Sequence, residues 1–126
     1  MIIEEVSAGQ KAVHELNFNA NGEPELTVSV GDQSVTVNLA EKEQDVESLV
    51  DISLGGDRTL IDGIGRWYVA TIIIPPRSYH MVDSGQVNEN EEPIMIPEAD
   101  PVNTDNVKLC LWGLPAATVP TEGGSL

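Results

Sequence analysis

Apolar and polar residues alternate most clearly on either side of Gly31-Asp32. Leu26, Val28 and Val30 are interleaved with Thr27 and Ser29, and Val35, Val37 and Leu39 with Thr36 and Asn38. Period two on both sides of a turn dipeptide predicts a hairpin. A two-residue Gly-Asp turn pairs Val28 with Val35 and Leu26 with Val37. A four-residue Gly-Asp-Gln-Ser loop pairs Val30 with Val35, Val28 with Val37 and Leu26 with Leu39. Both registers keep the apolar side chains on one face.

The same reading favours a strand over a short helix for Ala12–Phe18, with Ala12, His14, Leu16 and Phe18 on one side, and predicts another strand over Leu49–Leu54 ended by Gly55-Gly56. Residues 40–48 suit a helical turn or an exposed acidic edge, and Leu60–Gly65 a tight turn. Trp67–Ile74 is the most apolar strand: Tyr68, Ala70, Ile72 and Ile74 form one face, Trp67, Val69, Thr71 and Ile73 the other. Two largely apolar faces predict cover on both sides, from this chain or from another. Pro75-Pro76 ends the pairing because proline donates no ladder hydrogen bond. A strand resumes over Arg77–Val82, and the last runs from Val107 to Trp112 with Val107, Leu109 and Leu111 inward.

Residues 83–106 differ in kind. They are polar and acidic, and no Lys or Arg occurs between Arg77 and Lys108. Only Ile94, Met95 and Ile96, between Pro93 and Pro97, are suited to docking on a surface. These elements predict an all-β fold, a β-sandwich or partly open barrel of about seven short strands with a long acidic loop. The expected layout is one β-rich domain over residues 1–115, with 83–106 as an acidic loop or arm, and a flexible tail over 116–126.

Composition narrows the function. A chain of 126 residues supports one core. Aromatic residues are only 4% of it, so that core rests on Val, Ile and Leu. Twenty-one acids against six bases give a formal charge of −15. Such a surface repels phosphate backbones and anionic lipid, so neither nucleic acid nor membrane is an expected partner. The N-terminus carries acids early, without the basic and then apolar segments of a secretory signal. No apolar run approaches the ~18 residues of a membrane span. Together these place the protein in the cytoplasm of the producing cell.

The inventory for catalysis is thin. His14 and His80 have no serine-hydrolase context, and one cysteine with two distant histidines makes a poor zinc set. Cys110 lies within a strand, where a packed thiol is expected. Gly63-Ile-Gly65 leads into a strand and so presents no helix N-terminus to phosphate. The surplus acids Glu89, Glu91, Glu92, Glu98, Asp100 and Asp105 offer hard oxygen ligands for Ca²⁺, without the spacing of an EF-hand. The reading is a non-enzymatic protein without a cofactor. Its candidate interface residues are Trp67, Val69, Ile73, Tyr79, Ile94, Met95, Ile96 and Trp112, since large apolar and aromatic side chains dominate contact surfaces. The alternative is a Ca²⁺- or carbohydrate-binding sandwich module.

Arg66-Trp67-Tyr68-Val69-Ala70-Thr71-Ile72-Ile73-Ile74-Pro75-Pro76-Arg77-Ser78-Tyr79, an acidic Pro-containing spacer and Asp105-Asn106-Val107-Lys108-Leu109-Cys110-Leu111-Trp112 resemble small acidic proteins encoded among the tail genes of tailed bacteriophages and prophages. The resemblance covers roughly residues 66–115. It implies a virion or assembly role without enzymatic activity, with copies of itself or other virion subunits as partners and the virion as destination. It assigns no functional residue.

Overall fold

The computed structural model describes residues 1–115. The expected flexible tail, 116–126, lies outside the described residues. Ten strands form in chain order: β1 (Ile2–Glu5), β2 (Val13–Phe18), β3 (Pro24–Val30), β4 (Gln33–Asn38), β5 (Ser48–Leu54), β6 (Leu60–Asp62), β7 (Trp67–Ile74), β8 (Tyr79–Val87), β9 (Pro93–Ala99) and β10 (Lys108–Leu111). One helical turn, α1 (Leu39–Lys42), follows β4 and is capped by the Asn38 side chain, which accepts from the Glu41 backbone N–H.

The fold is all-β and open, with strand order β1-β10-β7-β5-β6 in a five-stranded sheet and β2-β3-β4 in a three-stranded one. Leu26, Val28, Val30 and Val37 of the smaller sheet share one buried core with Val50, Ile52, Leu54, Ile72, Ile74, Leu109 and Leu111 of the larger. The Gly31-Asp32 hairpin takes the shorter register: Val28 pairs with Val35 and Leu26 with Val37. Leu39 then starts α1 and is fully buried. Cys110 is free and buried, facing Thr71 across the β7–β10 pair.

Ten strands stand where about seven were expected. The additions are β1, β6 and β9. Ile2-Ile3-Glu4-Glu5 has no alternation to read, because β1 is an edge strand held in parallel by β10. β6 is three residues long and pairs only with β5.

The face assignment along Trp67–Ile74 is corrected by a β-bulge. Ile52 pairs with Ala70, whereas Ser53 pairs with Tyr68, so β7 carries one extra residue at Val69. An extra residue resets the alternation. Val69 therefore joins Ala70, Ile72 and Ile74 in the core, and all four have no exposed surface. Trp67, which pairs with the buried Leu54, packs half-buried against the same core. Tyr68 changes sides, joins Thr71 and Ile73, and is 42% exposed. Val69 is thus no interface residue; its own chain covers it.

Truncation inside this core leaves a cavity between two sheets that cannot close over it. Leu26→Ala is expected to lower unfolding free energy by about 2–5 kcal/mol in chemical denaturation. Met95→Ala, at a 47% exposed position, should stay within about 0.5 kcal/mol.

Candidate functional site: an apolar β-arm and its anchor

The segment expected as an acidic loop forms a hairpin. β8 and β9 pair with each other in a separate two-stranded sheet, and neither joins the sandwich sheets. Cross-strand partners share a face. One face therefore carries Tyr79, Met81, Val87, Pro93, Met95 and Pro97, and the other His80, Val82, Ile94, Ile96 and Glu98. Both contain apolar side chains, and every residue of β9 is exposed. Six of the fifteen large exposed apolar residues among the described residues are on this arm: Tyr79, Met81, Val87, Ile94, Met95 and Ile96.

Proline is disfavoured within a paired strand, yet Pro93 and Pro97 both fit β9. Even-numbered residues of β9 face the ladder, as the Asn88 N–H to Glu92 carbonyl bond (2.9 Å) and the Asp100 N–H to Ser78 carbonyl bond (2.9 Å) show at its two ends. The two prolines have odd numbers, so their nitrogens without a proton point to the free edge. That edge is poor at adding another strand. The arm is suited to contact through side chains.

Its base is tied to the body by Arg77. The Arg77 backbone N–H donates to the Gln44 carbonyl (2.7 Å), and its guanidinium donates to the Glu43 carbonyl (2.7 Å) and to Asp45 Oδ1 (3.3 Å). Tyr79 Oη donates to the same Asp45 oxygen at 2.5 Å. Asp100 closes the opposite side, accepting from Ser78 Oγ at 2.6 Å and lying 2.5 Å from His80 Nδ1. The Ser78 hydroxyl first, and His80 second, hold the Asp100 carboxyl below its ordinary 3.8. Beside this base is a crevice of about 130 Å³ lined by Glu43, Pro75, Pro76, Ser78, Val102, Asn103 and Asn106. That is smaller than the ~300–1,000 Å³ of small-molecule sites.

The arm's tip is a tight turn. Asn88 Oδ1 accepts from the N–H groups of Asn90 and Glu92, and Glu91 has φ +60°. The β2–β3 turn has the same bonds around Asn19, with Gly22 (φ +77°) in the left-handed position. The β5–β6 turn repeats the backbone pattern from Gly55 to Thr59, and its left-handed residue is Arg58 (φ +66°). Among the described residues, Arg58 and Glu91 are the only two non-glycine residues with positive φ. Each costs about 1 kcal/mol or more where glycine costs none.

The remaining candidates separate. Ile73 and Trp112 are half-buried on the outer side of the larger sheet, where Trp112 meets Tyr68 with ring centroids 5.4 Å apart. Trp67 opens β7, and the guanidinium carbons of Arg58 and Arg66 lie 5.2 and 4.8 Å from its ring centroid. Tyr79, Ile94, Met95 and Ile96 are together on the arm. Met81 and Val87 belong with them but escaped sequence reading, because the pairing partner of β8 was not foreseen and Val87 stands alone between Gln86 and Asn88. The acids considered for Ca²⁺ are spread along the arm and beyond it. No group of three or more His, Cys, Asp or Glu side chains converges among the described residues, and no helix there is long and apolar enough to cross a membrane.

No family model, no curated protein and no solved structure matches this chain.

Two outcomes follow for the anchor. Arg77→Gln should speed amide hydrogen exchange in β8 and β9 while leaving β7 and β10 protected, because the arm opens without the sandwich. A depressed carboxyl pKa stabilises above the ordinary value, and that support is lost as pH falls through the depressed value. The support that Asp100 gives the arm should therefore be present above pH 3.8 and fall below it. Asp100→Asn should remove that step.

Proposed function

We propose that this protein is a non-enzymatic structural subunit that assembles with copies of itself through the β8–β9 arm, in a virion or virion-assembly role of the tailed-phage type. The observation that carries the reading is the arm itself. A two-stranded hairpin is marginal in water on its own, and this one exposes six large apolar side chains on its two faces while being fastened at its base. Exposed apolar patches rimmed by charge mark contact surfaces. The prolines on the free edge of β9 favour side-chain packing over strand addition. The phage assignment draws on the resemblance over residues 66–115, and the charge of −15 keeps nucleic acid and anionic lipid off the expected partners.

Sedimentation velocity and light scattering from micromolar to millimolar concentration test the reading. The wild-type chain should form oligomers whose population grows with concentration. Ile94→Asp combined with Ile96→Asp should weaken association at least about tenfold, since buried apolar anchors carry 1–4 kcal/mol each. Its thermal midpoint should stay near that of the wild type, because neither residue belongs to the core. A wild-type chain that stays monomeric throughout removes the reading.

A further inference from the structure

We propose that Met81 and Met95 form an oxidation site on the β8–β9 arm, and that peroxide, by turning both into sulfoxides, loosens the contact the arm makes between copies. The loosening rests on the self-assembly reading; the site itself rests on where the two side chains stand.

The chain has three methionines and one cysteine. Met1 packs against the core, and Cys110 is buried. Met81 and Met95 differ from both: they are 57% and 47% exposed, on the two strands of a hairpin that joins neither sandwich sheet. Met81 pairs with Pro97, and Asp83 with Met95, so the two thioethers stand diagonally on one face. Diagonal neighbours are roughly 7–8 Å apart, within reach of side chains this long. The reactive sulfur of the exposed surface is thus gathered on one patch of the arm.

The rest of that face carries little charge. Tyr79, Val87, Pro93 and Pro97 complete its apolar part, and the Tyr79 hydroxyl is tied to Asp45. The acid among them, Asp83, turns its carboxylate back to accept the Gly85 N–H at 2.8 Å. A thioether is polarizable and flexible, which suits it to an adaptable apolar contact.

Peroxide reacts with a thioether by transfer of one oxygen. The sulfur lone pair attacks a peroxide oxygen, the O–O bond breaks, and the other oxygen leaves as water. Sulfur loses two electrons and the peroxide gains them. The product carries a polar S–O group where a flexible apolar one stood. Pressed into the same contact, that group is taken out of water without a hydrogen-bond donor, which is costly. Two such groups on one patch act together. Both are exposed when the arm is free, so reductases specific for the two sulfoxide epimers can reach them and restore the thioethers.

Peroxide treatment of the full chain, followed by peptide mass mapping and sedimentation velocity, tests this. In dilute solution Met81 and Met95 should each gain one oxygen before Met1 or Cys110 changes. Association of the oxidised chain should be at least about tenfold weaker, with an unchanged thermal midpoint because neither residue belongs to the core. Sulfoxide reductases of both specificities, supplied with a dithiol, should restore it. Met81→Leu with Met95→Leu leaves no sulfur on the arm, so its association should read the same before and after peroxide. If Met1 or Cys110 reacts first, the site is wrong. If the site is oxidised and association is unchanged, or the leucine variant still responds, the loosening is wrong while assembly stands. If the untreated chain is monomeric at every concentration, it is the assembly reading that fails, and the order of oxidation still decides the site.

Discussion

The structure depends on how β7 spends its apolar residues. It is the middle strand of the larger sheet, paired on one side with β5 and on the other with β10. The larger sheet can bury only one of its faces against the smaller one. A strictly alternating Trp67–Ile74 would divide its large residues evenly between that core and solvent. The bulge at Val69 avoids the division, placing Val69, Ala70, Ile72 and Ile74 together inside with Trp67 at the rim. With a core of Val, Ile and Leu and few aromatic residues, this concentration matters: each buried aliphatic side chain contributes roughly 1.5–3 kcal/mol. The bulge also turns Tyr68 outward, where it meets Trp112.

The end of β7 organises the rest of the molecule. Pro75-Pro76 stops its ladder, so the chain leaves the sheet instead of crossing back over it. Arg77 follows at once and fastens the departing chain to Glu43, Gln44 and Asp45, just beyond α1. The apolar strand, the proline stop and the basic anchor are consecutive in sequence and act in that order in space. The anchor holds only the base of the arm, so its shaft is unsupported. An unsupported hairpin with two apolar faces is a poor thing to leave in water, and that is why it reads as one half of an interface.

Much of the sandwich was legible because its strands announce themselves by alternation. β3 and β4 were readable down to their pairing, with two registers left open and the shorter one realised. The bulge was not legible. Trp67–Ile74 is apolar at nearly every position, and an alternation that runs on both faces hides a slip of one residue. Val69 was therefore assigned to an outer face that it does not occupy. The arm was hidden for the opposite reason. Glu, Asn and Pro dominate residues 88–98, and prolines demote a strand unless both can face a free edge, a condition visible only once the ladder is known. The Arg58–Trp67–Arg66 cluster was invisible too, since Arg58 and Arg66 are eight residues apart and only the β5–β6 turn brings them to one indole.

A chain of charge −15 that assembled with itself would face a contradiction in its electrostatics. Net repulsion grows with every copy added, so association needs local attraction that outweighs the mean. Of the acids on the arm, Glu89, Glu91 and Glu92 are at its tip, while Asp83 and Glu98 are on its two strands. Within one copy, bases already answer acids: Arg77 lies against Glu43 and Asp45, and Lys108 against Glu4. Repulsion over an acidic surface would discourage most arrangements of two copies, so the acidity that opposes assembly would also narrow its geometry.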